Sequence, residues 1–437
     1  MQKLLFPLFL CLFGWQASFA QTAKRPEIDK LVDQVEANII EWRRHFHQYP
    51  ELSNREYKTG AKIAEILKEI GGLEIQTGVA NTGVVAILKG AKPGPVIALR
   101  ADIDGLPVVE RVPLAFASKE KTTYNGQEVG IMHACGHDAH TAILLSVVKV
   151  LVQQKANLKG TIKFIFQPAE EGAPEGEEAG AQLMIKQGVL KNPDVEAVFG
   201  LHINSQTEVG TLKYKMEGIM AAVDYLEIIV KGKQTHGAYP WNGTDPIVVA
   251  SQIINGLQTI VSRQTDLSQE PAVVTIGAIH GGVRNNIIPE EVKMIGTIRS
   301  LDEEMRTLLH EKIRLTATKI AESAGAIAEV RIRKQYPITY NDPQLTQESI
   351  ASLQAAAGKD NVKLMKAVTG AEDFSFYQKE VKGLFFFLGG MSKGTHSIDA
   401  PPHHTPDFVI DESGLKLGTR AFCYLVLDYM DKYAKKK

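Results

Sequence analysis

Cysteine is scarce in this sequence: three residues in 437, at positions 11, 135 and 423. A disulfide scaffold is thereby excluded, because such frameworks pack several pairs into a short chain. Surplus positive charge is missing too. The 49 Lys and Arg are matched by 50 Asp and Glu, giving a formal net charge of −1, and no basic run leads into an aromatic stacking surface. Nothing would displace counterions from a phosphate backbone, so nucleic acid is excluded as a partner. Long apolar runs are absent as well. The one candidate, Leu4 to Trp15, is well short of the ~20 apolar residues that a bilayer crossing needs. Internal repeats and low-complexity stretches are also lacking.

What is present reads as an ordinary globular chain, with 44% hydrophobic and 23% charged residues. Its length exceeds what one core usually supports, so two domains are expected. Lys3, the apolar run and Ala17-Ser18-Phe19-Ala20 before Gln21 have the layout of a signal peptide over residues 1–20. Cleavage after Ala20 would export the chain to a periplasm or the medium with no stable membrane anchor, since Leu10 before Cys11 suits lipid attachment poorly. Of the two remaining thiols, Cys423 lies in a helical pattern from Gly414 to Tyr433 and is expected to be buried.

Residues 26–48 and 55–70 read as helices, the second ended by Gly71-Gly72. The runs Val84 to Leu88, Val96 to Leu99, Thr161 to Phe166 and Val195 to Leu201 are continuously apolar, as in strands buried on both faces. They predict an open α/β sheet with helices on both sides, which binds ligands at its strands' carboxyl ends. From about Ala221 the order changes to strand (225–230), helix (245–261), strand (272–279), strand (291–298), helix (303–323) and strand (328–334). That βαββαβ order predicts an inserted ferredoxin-like α+β domain over residues 218–336. The first domain then comprises 21–217 and 337–437, completed by a strand at Leu384 to Leu388 and the closing helix.

Metal-ligand residue types gather where the predicted strands stop: Asp102 and Asp104 after the second, Glu170-Glu171 after the third, His202 after the fourth. A lone His after a strand is more often a hydrogen-bonded core residue, and two adjacent glutamates are usually a solvated loop. At the mouth of a buried strand, however, unpaired carboxylates are costly unless a cation joins them. The segment His133-Ala134-Cys135-Gly136-His137-Asp138-Ala139-His140, just before an apolar helix, adds a thiol and three imidazoles. Such a mixed set suits zinc, manganese or cobalt, and it offers more donors than one tetrahedral ion uses. Two ions sharing a bridging water are therefore expected.

These motifs, with His47-Gln48-Tyr49-Pro50-Glu51, Gly370-Ala371-Glu372-Asp373-Phe374 and His404-Thr405-Pro406, resemble the dinuclear metallopeptidases of family M20 across nearly the whole mature chain. The nearest subgroup is that of the hippurate, N-acyl-L-amino-acid and indole-acetyl-amino-acid amidohydrolases. The resemblance implies two divalent ions held by Cys135, His137, Glu171, His202 and His404, with the sulfur bridging. The Thr-Pro that follows favours His404 over His403. Glu170 takes the general-base place, and Asp102 and Asp104 support the ligands from behind, Asp102 standing where the wider family carries a ligating histidine. In the insertion, His236 matches a histidine that reaches a neighbouring subunit's site and holds the carbonyl oxygen, which implies a homodimer through that domain. Asn286 matches a residue near the substrate.

The implied reaction is hydrolysis of the amide bond of an N-acyl-L-amino acid or related small peptide conjugate, by a metal-bridged hydroxide with Glu170 moving the proton. A dipeptidase or aminopeptidase on the same site is the second reading. A silent peptide-binding protein is a third, disfavoured by the retained Glu170.

Overall fold

The strand Lys92–Asp102 sets the plan of the larger unit. Its side chains alternate, Ile97, Leu99 and Ala101 entering one buried cluster while Ala98 enters another on the opposite face. Apolar faces on both sides demand cover on both sides. The computed structural model describes residues 25–434 except Leu267, and it shows that cover; the expected leader lies outside the described residues. Helices Pro26–Gln48, Tyr57–Ile70, His137–Gln153, Pro343–Ala357 and Leu415–Tyr433 pack on one face. Gly180–Lys186 and Phe374–Glu380 pack on the other.

Eight strands form the large sheet, in the order Glu74–Val79, Gly83–Lys89, Lys159–Gln167, Lys92–Asp102, Ala197–Glu208, Lys382–Met391, Leu212–Tyr214, Val362–Leu364. The four central strands, from Lys159–Gln167 to Lys382–Met391, run parallel, and antiparallel pairs flank them. This is the open mixed sheet that the apolar runs indicate. Because the central strands are parallel and in register, their candidate ligands come level: Asp102 lies opposite Gln167 where both strands end, and His202 opposite Phe387 inside strands that run on to Glu208 and Met391. Two details differ from the sequence reading. His202 sits within its strand, which continues to Glu208, rather than after it. The helix after the Cys135 segment begins at His137, so His137 and His140 occupy its first turn rather than the loop before it.

The insertion forms its own four-stranded antiparallel sheet, in the order Val273–Gly281, Glu291–Ser300, Ala222–Lys231, Ile327–Lys334. Leu226, Ile228 and Val230 alternate onto helices Pro246–Gln264 and Glu303–Ser323, burying Ile253, Leu257, Leu309 and Ile313. Side chains cap both helices: Asp245 accepts from the Ile247 and Val248 N–H groups, and Asp302 from that of Met305. The chain enters through Glu217–Met220 and leaves through Thr339–Asn341, which pair as neighbouring antiparallel strands. No helix among the described residues is long and apolar enough to cross a membrane.

Candidate metal centre

The carboxyl ends of the parallel strands and the start of helix His137–Gln153 meet at one point. Cys135 Sγ lies 3.3 Å from His202 Nε2 and 3.3 Å from His404 Nε2. His404 Nε2 is 3.0 Å from Glu171 Oε1, which in turn is 3.9 Å from His137 Nε2. Glu170 Oε2 stands 4.0 Å from the same His137 nitrogen. The structure thus brings Cys135, His137, Glu170, Glu171, His202 and His404 together.

Hydrogen bonds decide which imidazole nitrogens stay free. His137 Nδ1 pairs with Asp104 Oδ1 at 3.1 Å, which turns Nε2 inward, where that buried atom has no hydrogen-bond partner. The other Asp104 oxygen accepts from Ser53 Oγ and from the Glu171 N–H, so one carboxylate positions two candidate ligands. His202 Nδ1 donates to the Ile203 carbonyl at 2.6 Å, leaving Nε2 toward the sulfur. Two other histidines are fully engaged. His140 donates to Asp102 Oδ1 at 2.6 Å and accepts from the Ile203 N–H at 2.8 Å. His403 donates from Nδ1 to the Cys135 carbonyl and accepts at Nε2 from the Ser205 N–H. Neither has a lone pair left, whereas His404 does. Asp102 itself bridges His140 and Arg100, and its Oδ2 lies 3.8 Å from His137 Nε2.

The charge balance calls for cations. Asp102, Glu170, Glu372 and Asp373 share one buried guanidinium, Arg100, which reaches Asp102 and Asp373 at 2.7 Å and Glu372 at 3.0 Å, while Asp104 and Glu171 add two more carboxylates beside His137 and His404. Burial, then Glu372, Glu171 and Asp373, pushes the Glu170 carboxyl well above the usual range. Burial also raises Glu372 to about 7 and Asp373 to about 6 against the pull of Arg100. The Cys135 thiol is driven up by burial and by the Glu171 and Glu170 charges. Burial opposes charge on His137, yet Asp102 and Asp104 outweigh it and lift that ring to about 10. Two divalent ions fit such a pocket: they would reverse these shifts, and they would occupy the buried His137 Nε2 and Glu171 Oε1 atoms that lack hydrogen bonds. The neighbouring Asp373 is already saturated by Arg100, Gln167 and the Ala181 N–H, so it has no room for an ion.

Backbone strain marks the same place. Ala169 (φ +54°) and His404 (φ +62°) hold the left-handed conformation, which costs non-glycine residues of order 1–3 kcal/mol each.

Residues 98–428 match peptidase family M20/M25/M40. The chain belongs to this family. This M20 chain is 41% identical over 403 residues to thermostable carboxypeptidase 1 of Saccharolobus solfataricus, covering 92% of this chain and 98% of that one. It is 40% identical over 391 residues to an N-acetylcysteine deacetylase of Bacillus subtilis, covering 89% and 96%. The solved structure of a dinuclear metal-binding M20 peptidase from Bacillus subtilis superposes with a TM-score of 0.76 at 37% identity, covering 91% of this chain and 99% of that one. The M20 chain is accordingly a metal-dependent amide hydrolase with a two-ion site.

A cavity of about 570 Å³ opens over the donors, walled on one side by Cys135, Glu170 and His202 and on the other by Val223, Arg299 and Tyr336 of the insertion. Arg299 escaped the sequence reading. Its guanidinium is half-buried and makes no ion pair among the described residues, and burial lowers its pKa. Alternation with buried Ile298 in strand Glu291–Ser300 places it on the face away from the insertion's core. Only the fold reveals that this face looks onto the metal pocket. His236 and Asn286, by contrast, are not brought to the donors of this chain. Exposed His236 accepts from the Ala238 N–H, and Asn286 accepts from the Gly237 N–H through its carbonyl. Both sit beside a separate cavity lined by Gly237, Asn285 and Ile287.

Proposed function

We propose that this M20 chain hydrolyses the amide bond of N-acyl-L-amino acids, with Cys135, His137, Glu171, His202 and His404 holding the two ions and Glu170 moving the proton. The observation that carries it is the placement of Glu170: its Oε2 lies 4.0 Å from the open nitrogen of His137, in the same cavity as the other donors. Zinc, manganese or cobalt bound there would acidify a water and polarise the amide carbonyl. Glu170 takes the water's proton and returns it to the departing nitrogen. Its Oε1, 3.4 Å from the Asp373 N–H, is steadied while Oε2 faces the donors.

Arg299 supports an amino-acid leaving group. A carboxypeptidase and an N-acetylcysteine deacetylase both cut an amide whose nitrogen belongs to a residue with a free α-carboxylate, the group that a guanidinium binds through two parallel hydrogen bonds. The same cation admits small peptides, which makes carboxypeptidase action the second reading. Around His236, Trp241 (74% exposed), Val283 (98% exposed), Tyr239 and Ile287 form an apolar surface. That surface supports a homodimer in which His236 and Asn286 reach the partner's cavity, His236 donating to the developing oxyanion. The apolar leader supports export.

The test is a panel of N-acetyl and N-benzoyl amino acids, free dipeptides and amides lacking an α-carboxylate, each with chelator and with added zinc, manganese or cobalt. N-acyl amino acids should be hydrolysed, chelator should abolish turnover, metal should restore it, and amides without the carboxylate should react poorly. Turnover that survives chelation, or that is confined to free dipeptides, would overturn the reading.

A further inference from the structure

A buried polar chain runs from the insertion into the catalytic turn. Asp224, buried on the central strand Ala222–Lys231, accepts from Arg306 Nε at 3.0 Å and pairs with His310 Nε2 at 2.5 Å. Arg306 Nη2 also reaches the Tyr336 carbonyl at 3.4 Å, and the Val223 N–H donates to that carbonyl at 3.1 Å. The backbone of Tyr336 therefore belongs to the insertion. Its ring does not: it packs edge-on against Phe376, centroids 5.9 Å apart, and its hydroxyl donates to the Glu170 carbonyl at 2.8 Å.

The turn that receives this bond needs holding. Ala169 (φ +54°) and Gly172 (φ +99°) flank Glu170-Glu171 in left-handed conformations. Among the described residues three hydrogen bonds fasten its backbone, beside the one from the Asp373 N–H to the Glu170 carboxylate. Glu56 takes the Ala169 N–H at 2.8 Å and Asp104 takes the Glu171 N–H at 3.0 Å, both from the catalytic unit. Among the described residues Tyr336 alone fastens it from the insertion, and it does so at the residue whose carboxylate faces the donors. We propose that Tyr336 is a positioning residue, through which the seating of the insertion is transmitted to Glu170. Without its hydroxyl the Glu170–Glu171 peptide keeps only the Asp104 bond at its N–H edge and can tilt about it, and a carboxylate displaced by ~1 Å loses about 100-fold in rate. The proposal rests on the general-base reading of Glu170.

The experiment uses the full chain loaded with metal, as wild type, Tyr336→Phe, Arg306→Lys and the double variant. Tyr336→Phe should lower kcat by about 10- to 100-fold with KM and metal content unchanged. Hydrogen–deuterium exchange should speed up in the 169–172 segment. Arg306→Lys, which keeps the charge beside Asp224 but loses the fork to Tyr336, should shift both readouts the same way by less. The double variant should fall no further than Tyr336→Phe alone. Unchanged exchange in Tyr336→Phe, wild-type kcat, or additive losses would each overturn the proposal. A wild-type chain inert to every substrate would instead sink the amidohydrolase reading, and the exchange measurement would still decide this one.

Discussion

His403 and His404 are neighbours in sequence with opposite hydrogen-bond accounts. Both nitrogens of His403 are engaged, by the Cys135 carbonyl and the Ser205 N–H, while His404 directs its Nε2 at two other candidate ligands, Cys135 and Glu171. His404→Ala should therefore lower the metal content of the purified protein, and His403→Ala should retain two ions per subunit by elemental analysis. Glu170→Gln should keep both ions and lose about 10² to 10⁴ in kcat, the usual worth of a positioned acid–base group; full occupancy with near-wild-type turnover would refute that role. Much at this scale was legible in the chain itself. The residue types of the donors stood out at the ends of apolar runs, whereas the choice between two adjacent imidazoles depends on partners hundreds of positions away. Arg299 was hidden for a related reason: alternation says which face a side chain takes, not what lies opposite that face.

At the scale of elements, the central strands were readable because burial on both faces leaves continuous apolar runs. The strands Leu212–Tyr214 and Val362–Leu364 and the hairpin Lys121–Tyr124 with Gln127–Gly130 were not, since three or four residues carry no usable period. One glycine deserves a test. Gly136 holds φ +98° between Cys135 and His137, and a Cβ there would meet Ile203 Cγ2 at 2.4 Å. Gly136→Ala should cost of order 1–3 kcal/mol in chemical denaturation and weaken metal binding, because relief moves both neighbours. A second prediction concerns the insertion. Burial disfavours a charged Asp224, but hydrogen bonds from His310 and Arg306 outweigh it and hold its pKa below the ordinary carboxylate value. A carboxylate depressed in the folded state adds stability that is complete above its unfolded pKa, about 3.9, and lost as pH falls through the folded value. Wild type should therefore lose more Tm than Asp224→Asn as pH is lowered from 5 toward about 3. Parallel Tm curves would remove Asp224 from the account.

For the whole molecule, the decisive question is whether the apolar surface around His236 meets a second copy. Light scattering should give twice the subunit mass, and Val283→Glu should yield a monomer with both ions but reduced kcat, because His236 would no longer reach a partner's cavity. A monomeric wild type with full activity would dismiss the shared site.

The insertion hangs from the catalytic unit by two threads that lie side by side, Met220 facing Thr339 across a short ladder. A module attached in this way can be exchanged at one seam, with the Tyr336 bond to the catalytic turn as the contact that has to be remade. Whatever replaces it must bring its own cation for the cavity and its own tether for the turn. Descendants of such a design can diversify what they cut while inheriting the machinery of cutting intact.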